Sequence, residues 1–309
     1  MPTLKEIKGR IGSVKSTLKI TSAMKLVSSA KLRKAQAAIE AMRPYEQQLQ
    51  RILAAASVEA YAPDSAKRSA DALPEAYAST PVMPDASASV MPDPDRASPA
   101  PRVIIAIASN SSLCGGFNAN AIGLVRKTRQ AGDTVYSIGR KMADAMRKDG
   151  FPSPADFTAL SEHPAYAPCA SLVEQLSQEY ADGRISEVHL VYNHFVSTAR
   201  QQSVVERLLP FCHSERSEES AGAVVQDAII EPSRSELLAV LLPKTLKLKL
   251  YAALLDSAAA EHAARTVAMQ AATDNGNQLL DELTLQYNKG RQQKITNEIL
   301  DLAAGSSAE

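Results

Sequence analysis

A glycine-rich turn is the part of this 309-residue chain whose composition comes nearest to a ligand site. The turn, Leu113-Cys114-Gly115-Gly116-Phe117-Asn118, follows the apolar run from Val103 to Ala108. Glycines after the first strand of an α/β unit can cradle a pyrophosphate. The GxGxxG spacing is absent, however, and neither GKS nor GKT follows. A structural turn in which Asn118 caps the next helix is therefore the favoured interpretation, and a ligand site is the alternative.

The cysteines and histidines form no recognisable catalytic or metal-binding motif. A cysteine nucleophile needs a base, and the histidines nearest to Cys114 in sequence stand in no motif with it. They are His163, His189 and His194. Cys114 is interpreted as a small buried thiol, and His262, one helical turn from Arg265, lacks companion ligands. Three cysteines without CxxC spacing also favour a reducing compartment. No catalytic residue, cofactor site or metal site is predicted.

The segments around these residues predict a small α/β domain over residues 102–211. Strands are predicted at Val103–Ala108, Thr134–Ile138, Glu187–Tyr192 and Val204–Leu208, and helices at Arg140–Lys148 and Cys169–Ala181. The first strand is apolar throughout, as buried parallel strands are. Alternation of strands and helices predicts a Rossmann-like domain with a mostly parallel sheet.

A long helix is predicted over residues 1–60. Leu4, Ile7, Ile11, Val14 and Leu18 step by three and four residues, the a/d spacing of a coiled-coil seam. The seam is predicted to slip near Thr21 and Met24, with local unwinding, and Pro44 is predicted to kink the helix without ending it. Beyond the slip the predicted seam residues are Ala35, Ala38, Met42, Tyr45, Leu49, Ile52 and Ala56.

A second long helix is predicted in the C-terminal segment, residues 233–309. It is expected to start at Lys244, after Pro243, and to continue to about Ala304. Its seam residues are Leu255, Ala258, His262, Arg265, Met269, Ala272, Gly276, Leu279 and Leu283. Between the helices and the α/β domain lie a Pro/Ala/Ser-rich linker or insertion, residues 61–101, and a charged loop, residues 212–232.

Charge is balanced over the whole chain but not along it. Lys plus Arg and Asp plus Glu each number 34, yet the residues from Lys5 to Lys34 contain nine basic residues and one acid, Glu6. A basic helix could follow a phosphate backbone, so a coiled-coil nucleic-acid-binding protein is one alternative. The apolar seam and the 5% aromatic content weigh against it. A nucleotide-dependent α/β enzyme with coiled-coil dimerisation ends is the other alternative. No run of eighteen apolar residues and no secretory signal is present.

Five short motifs lie in order along the chain. They are Ile11-Gly12-Ser13-Val14, Lys19-Ile20-Thr21-Ser22-Ala23-Met24-Lys25-Leu26-Val27, Leu113-Cys114-Gly115-Gly116, the segment 261–277 and the segment 287–296. Together they closely resemble the gamma subunit of the F-type ATP synthase over nearly the whole chain. Two departures are visible. The family's usual Asp-Arg-Gly is Asn110-Ser111-Ser112 here, and the two segments at 61–101 and 212–232 look longer than usual.

The resemblance implies a central-stalk rotor that couples ion-driven c-ring rotation to ATP synthesis. The terminal helices would form an antiparallel coiled coil inside a ring of three alpha and three beta subunits. The α/β domain would lie near the epsilon subunit and the c-ring, on the cytoplasmic side of a bacterial inner membrane. No active site, cofactor or nucleic-acid partner is implied. Contacts with partner subunits are implied for Met24, Lys25, Arg265, Arg291, Gln292 and Thr296, with the first two beside an acidic loop of beta.

Overall fold

The computed structural model describes residues 3–57, 100–210 and 233–306. In chain order its elements are α1 Leu4–Ser57, β1 Val103–Ile107, α2 Phe117–Thr128, β2 Thr134–Ile138, α3 Arg140–Lys148, α4 Thr158–Glu162, α5 Tyr166–Ala181, β3 Val188–Phe195, β4 Gln201–Leu209 and α6 Arg234–Ser306. Residues 61–99 of the predicted linker and the whole charged loop at 212–232 lie outside the described ranges.

The two long helices, α1 and α6, pack against each other in antiparallel directions. A Cβ atom added to Gly290 would lie 3.2 Å from Leu4 Cδ2, and one added to Gly276 would lie 2.7 Å from Leu18 Cδ2. From Leu4 to Leu18 the position on α1 rises by fourteen residues while its partner on α6 falls by fourteen, from Gly290 to Gly276. The helices are therefore antiparallel and keep one register between these positions. The predicted antiparallel coiled coil is confirmed, and we call this helix pair the shaft.

The seam of α1 runs without the predicted slip. Thr21 and Ser28 are buried and continue the spacing to Leu32, Leu49 and Leu53. The Thr273 hydroxyl of α6 donates a hydrogen bond to Thr21 Oγ1 at 3.0 Å, so a polar residue in the seam keeps a partner. Tyr45 and Ile52 are 57% and 44% exposed, so their predicted seam positions are wrong. The prediction took apolar character as the mark of the seam, whereas small hydroxyl residues fill part of it.

Both helices continue through their prolines. α1 runs past Pro44, as predicted, and starts with a capping box in which Glu6 N donates to Thr3 Oγ1 and Thr3 N to Glu6 Oε2. α6 starts at Arg234 and includes Pro243, so the predicted start at Lys244 is wrong. Burial of leucines on both sides of Pro243 offsets the lost hydrogen bond. These are Leu238, Leu241, Leu242 and Leu246, of which the first three pack with Leu49 and Leu53 of α1.

The sheet has the order β2-β1-β3-β4. β1 pairs in parallel with β2 and with β3, and β4 pairs antiparallel with β3, which confirms a mostly parallel sheet. α3 has the predicted bounds, and α5 starts three residues before the predicted Cys169. The five-residue helix α4 was not predicted, because it is too short to show a helical period.

Each face of the sheet is covered by helices, and α6 is one of them. Ile104 and Ala106 of β1 pack with Met142 and Met146 of α3 and with residues of α2 on one face. Ile105 points to the opposite face, where residues of α5 and α6 cover the sheet. From α6 these are Leu246, Leu250, Ala253 and Leu254. One helix thus belongs both to the shaft and to the α/β domain.

Candidate functional site: the shaft and its junction with the α/β domain

The glycine turn after β1 is packed against α6. In doubly wound folds ligands bind beyond the carboxyl ends of the strands, in the crevice where connections leave in opposite directions. Here Cys114 and Phe117 pack with Ala260 and Ala264 of α6. A Cβ atom added to Gly115, whose φ is +58°, would lie 3.9 Å from the Cβ of Ala268. The turn therefore allows close approach of a helix, as the structural interpretation predicts, and a cavity of about 200 Å³ remains beside it, lined by Gly115, Gly116 and Ala264.

Asn118 ties this turn to the end of β1 and does not cap α2. The helix starts at Phe117, with Gly116 as its N-cap residue and no side-chain cap. Asn118 therefore lies inside the first turn, and its Oδ1 accepts a hydrogen bond from Ser109 N at 3.0 Å. The predicted cap is wrong for this reason. Cys114 is buried, as predicted, with Asn118 Nδ2 3.2 Å from its Sγ.

The unusual triplet Asn110-Ser111-Ser112 makes specific contacts. Asn110 Oδ1 accepts a hydrogen bond from Arg140 N at 2.9 Å, at the start of α3. Its Nδ2 donates to Thr158 O at 2.9 Å, at the start of α4. A carboxylate could replace the acceptor but not the donor. Asn110 therefore links two helices in a way that aspartate could not.

A buried ion pair of α6 lies beside the glycine turn. Arg265 and Glu261 are each 8% exposed, and Arg265 Nη2 lies 2.7 Å from Glu261 Oε1. The same nitrogen donates a hydrogen bond to Ser111 Oγ at 2.7 Å. Burial raises the pKa of Glu261, against the opposing effects of Arg265 and Lys31. The i,i+4 spacing of the pair was visible in the sequence, whereas nothing in the sequence indicated Ser111 as the third partner.

His262 lies beside this pair and is held neutral. Burial, followed by the positive charges of Arg265 and Lys31, lowers the pKa of His262 to about 4. Its Nδ1 is buried and has no hydrogen-bond partner among the described residues. An imidazole in this position contributes packing rather than charge.

The predicted partner-contact residues lie at separate levels of the shaft. Met24 and Lys25 are partly exposed on α1, while Arg265 is buried at the junction. Arg291, Gln292 and Thr296 are exposed on α6. They lie beyond Gly290, which faces Leu4, so they follow the end of the paired region. Arg265 and Arg291 are roughly 40 Å apart at about 1.5 Å per residue. The structure therefore does not bring the six residues together.

Apolar side chains are exposed on the outer faces of the shaft. Ile20, Leu26 and Val27 of α1 are 60%, 70% and 57% exposed. Ile295, Ile299 and Leu300 are exposed on the unpaired end of α6. On α1, the part of the helix before Ile20 exposes the basic residues Lys5, Lys8, Arg10, Lys15 and Lys19. Apolar side chains left uncovered on a helix are available for contact with a partner.

Comparison with known proteins identifies the family. The family described as ATP synthase matches residues 3–308. The ATP synthase gamma chain of Phocaeicola vulgatus is 43% identical over 318 residues, covering 100% of both chains. The chain belongs to the ATP synthase gamma chain family. The gamma chain of Flavobacterium johnsoniae is 37% identical over 317 residues, covering 100% of this chain and 99% of that one. Membership makes the chain a central-stalk rotor subunit of F-type ATP synthase.

Solved structures share the fold of this family member. A chain of the Euglena gracilis mitochondrial ATP synthase aligns with a TM-score of 0.61 at 18% identity, covering 99% of this chain and 94% of that chain. A chain from the structure of the Tetrahymena thermophila mitochondrial ATP synthase central stalk and c-ring aligns with a TM-score of 0.53 at 20% identity, covering 82% of this chain and 99% of that chain. In the described ranges, none of the helices contains an apolar stretch that could span a lipid bilayer.

Proposed function

We propose that the shaft enters a ring of three alpha and three beta subunits, with the α/β domain near the epsilon subunit and the c-ring. The complex would hold the chain at the cytoplasmic side of a bacterial inner membrane. The observation that carries this proposal is the unpaired end of α6. Residues after Gly290 continue the helix to Ser306 without α1 beside them, and they expose Ile295, Ile299 and Leu300. A single helix with exposed apolar residues needs a surrounding partner.

The asymmetry of the shaft explains how rotation can drive catalysis. Two different helices cannot present the same face to three equivalent subunits, so each subunit meets different contacts and has a different affinity for nucleotide. A third of a turn then exchanges these states among the subunits. The free energy of ion flow reaches the catalytic sites as a coupling free energy between shaft position and nucleotide affinity.

Two sets of exposed residues are proposed to make the rotating contacts. Met24 and Lys25 would lie beside an acidic loop of beta, and Arg291, Gln292 and Thr296 would meet another beta loop. Exposed ion pairs contribute about 0 to 1 kcal/mol each, which suits contacts that break in every turn. The contact implied for Arg265 stays a prediction. Its guanidinium bonds Glu261 and Ser111 within the chain.

Reconstitution tests the proposal. We expect the purified chain, mixed with alpha and beta subunits, to sediment as a complex of one chain with three of each, and ATPase activity to depend on that complex. A folded chain that forms no complex would refute the assignment of these partners.

The contact residues are tested by Arg291→Ala combined with Gln292→Ala. Because both side chains are exposed, the fold should persist while coupling of ATP synthesis to the ion gradient weakens. The matched control is Arg184→Ala with Gln175→Ala, which removes the same residue types from the exposed surface of the α/β domain. Unchanged ATP synthesis in membranes with the first variant would remove these residues from the mechanism.

A further inference from the structure

The β1–α2 loop, residues 108–116, meets α6 through packing of small apolar residues and through one hydrogen bond. Ala260 and Ala264 contact the loop through methyl groups, and Gly115 adds no side chain. Methyl contacts have no preferred direction, so at this level of α6 such surfaces resist separation but constrain rotation of the helix only weakly. The hydrogen bond from Arg265 Nη2 to Ser111 Oγ does have a preferred direction. Earlier on α6, Asp256 Oδ1 accepts a hydrogen bond from Phe195 N at 3.1 Å, which holds the helix to β3.

The loop itself is held in an unfavourable backbone conformation. Leu113 has a φ of +66°, a region that non-glycine residues rarely adopt, and its side chain is 56% exposed. Hydrogen bonds converge on Ser111 O from Ser109 Oγ at 2.6 Å and from Asn118 Nδ2 at 3.3 Å. Ser111 therefore connects the network that maintains the loop with the side chain that attaches it to the shaft.

Arg265 is well placed to hold Ser111 in one position. Glu261 takes one donor of the guanidinium and fixes its orientation from within the same helix. Arg265 and Glu261 are almost fully buried, so water competes poorly for the bond between them, whereas Ser111 lies exposed at the end of the guanidinium. A residue whose task was to contact a neighbouring subunit would be expected to keep its donors accessible.

We propose that Arg265 is a positioning residue, which fixes the β1–α2 loop, and with it this edge of the α/β domain, at one angle about the shaft. This inference rests on the proposed function, since it describes how the rotor stays rigid under torque. It differs from the contact with a partner subunit that the resemblance implies for Arg265. Loosening this attachment would let part of the rotation be absorbed as distortion at the junction.

The test changes Ser111 rather than Arg265, because Arg265→Ala would leave Glu261 buried without its partner and could prevent folding. Ser111→Ala removes only the acceptor, Ser111→Thr keeps a hydroxyl, and Ser112→Ala is the matched control one residue away. Amide hydrogen exchange of residues 109–116 is measured on the full chain. A hydrogen bond to a charged group predicts an increase of about tenfold for Ser111→Ala. Ser111→Thr and Ser112→Ala should exchange like the wild type.

The same variants and Arg265→Lys are then assembled into membranes, and ATP synthesis is compared with ATP hydrolysis. We expect Ser111→Ala to lose synthesis relative to hydrolysis and Ser111→Thr to restore it. Unchanged exchange in Ser111→Ala, or increased exchange with unchanged coupling, would overturn the proposal. Normal coupling in Ser111→Ala together with impaired coupling in Arg265→Lys would assign Arg265 to a partner contact instead. A wild-type chain that assembles with no partner would contradict the proposed function and leave the exchange result standing.

Discussion

Close packing of the shaft at Gly276 gives a prediction whose sign depends on the structure. Replacing glycine by alanine inside an exposed helix stabilises it by about 1 kcal/mol. At Gly276 the added Cβ would lie 2.7 Å from Leu18 Cδ2 and 3.2 Å from Leu18 Cγ. Leu18 Cδ2 ends a flexible side chain, but Cγ is also too close, so the whole side chain must shift, and overpacking of this kind costs about 1–3 kcal/mol. We therefore expect Gly276→Ala to lower the free energy of unfolding by roughly 1 kcal/mol, against the trend of helix propensity.

Gly12 provides the matched control on the other helix of the shaft. A Cβ added there meets nothing within 4 Å, so Gly12→Ala should raise the free energy of unfolding by up to about 1 kcal/mol. Urea titration followed by circular dichroism at the helix band measures both variants, and equal m-values show that the same unfolding is compared. Equal stabilisation by the two substitutions would refute the close approach of the helices at Gly276.

A double-mutant cycle assigns the clash to its partner. Leu18→Ala should itself destabilise the shaft, since Leu18 is partly buried in the seam. In its presence Gly276→Ala should become stabilising, because the atoms that the new Cβ meets are gone. We expect an interaction free energy of about 1–3 kcal/mol between the two sites. Additive effects would place the strain elsewhere than at Leu18.

Two further predictions concern the junction and the α/β domain. His262→Gln should flatten part of the pH dependence of stability. Between pH 6.5 and about 4 the unfolded chain binds a proton at His262 that the folded chain does not. As the pH is lowered through this range, the wild type should therefore lose roughly 2 kcal/mol of unfolding free energy relative to the variant, after allowance for solvent screening. Urea titrations at several pH values measure this, and parallel curves would contradict it. Gly139→Ala should cost more than about 3 kcal/mol, because φ is +100° and the new Cβ would lie 2.1 Å from Ala108 O. Gly132 has φ +93° but open space around the added Cβ, so Gly132→Ala should cost only about 1–2 kcal/mol. Equal losses of stability in the two variants would show that backbone strain, and not the contact with Ala108 O, sets the cost.

The α/β domain could be predicted closely because its signals are local. The run Val103–Ile107 is apolar throughout, since both faces of a central strand are covered, and it is buried at every position. The helix Arg140–Lys148 follows a glycine and has an apolar side with Met142 and Met146, both buried. Local composition was sufficient to predict these elements, because the apolar residues that bury them stand at the spacing of a strand or of a helix.

The shaft and the junction depended more on contacts that sequence does not show. Thr21 and Ser28 lie in the seam because α6 presents small residues and a hydroxyl there, not because they are apolar. The early start of α6 did have a signal, since Ser233 and Glu236 stand in capping-box spacing and Glu236 N donates to Ser233 Oγ at 3.3 Å. The contact of Ser111 with Arg265 joins residues 154 positions apart, and no periodic pattern predicts such a pair.

The double role of α6 bears on how torque reaches the shaft. Leu246, Leu250 and Leu254 of α6 belong to the core of the α/β domain, so turning that domain must turn α6. Further along, Thr273 and Gly276 of the same helix engage α1. The glycine turn and Arg265 lie between these two regions, where α6 leaves the sheet and packs against the β1–α2 loop and against Phe195 of β3. A rotor that transmits torque through one continuous helix is most compliant at such an exit. Rigidity at this point is therefore the role that we propose for the glycine turn and the buried ion pair in this part of the chain.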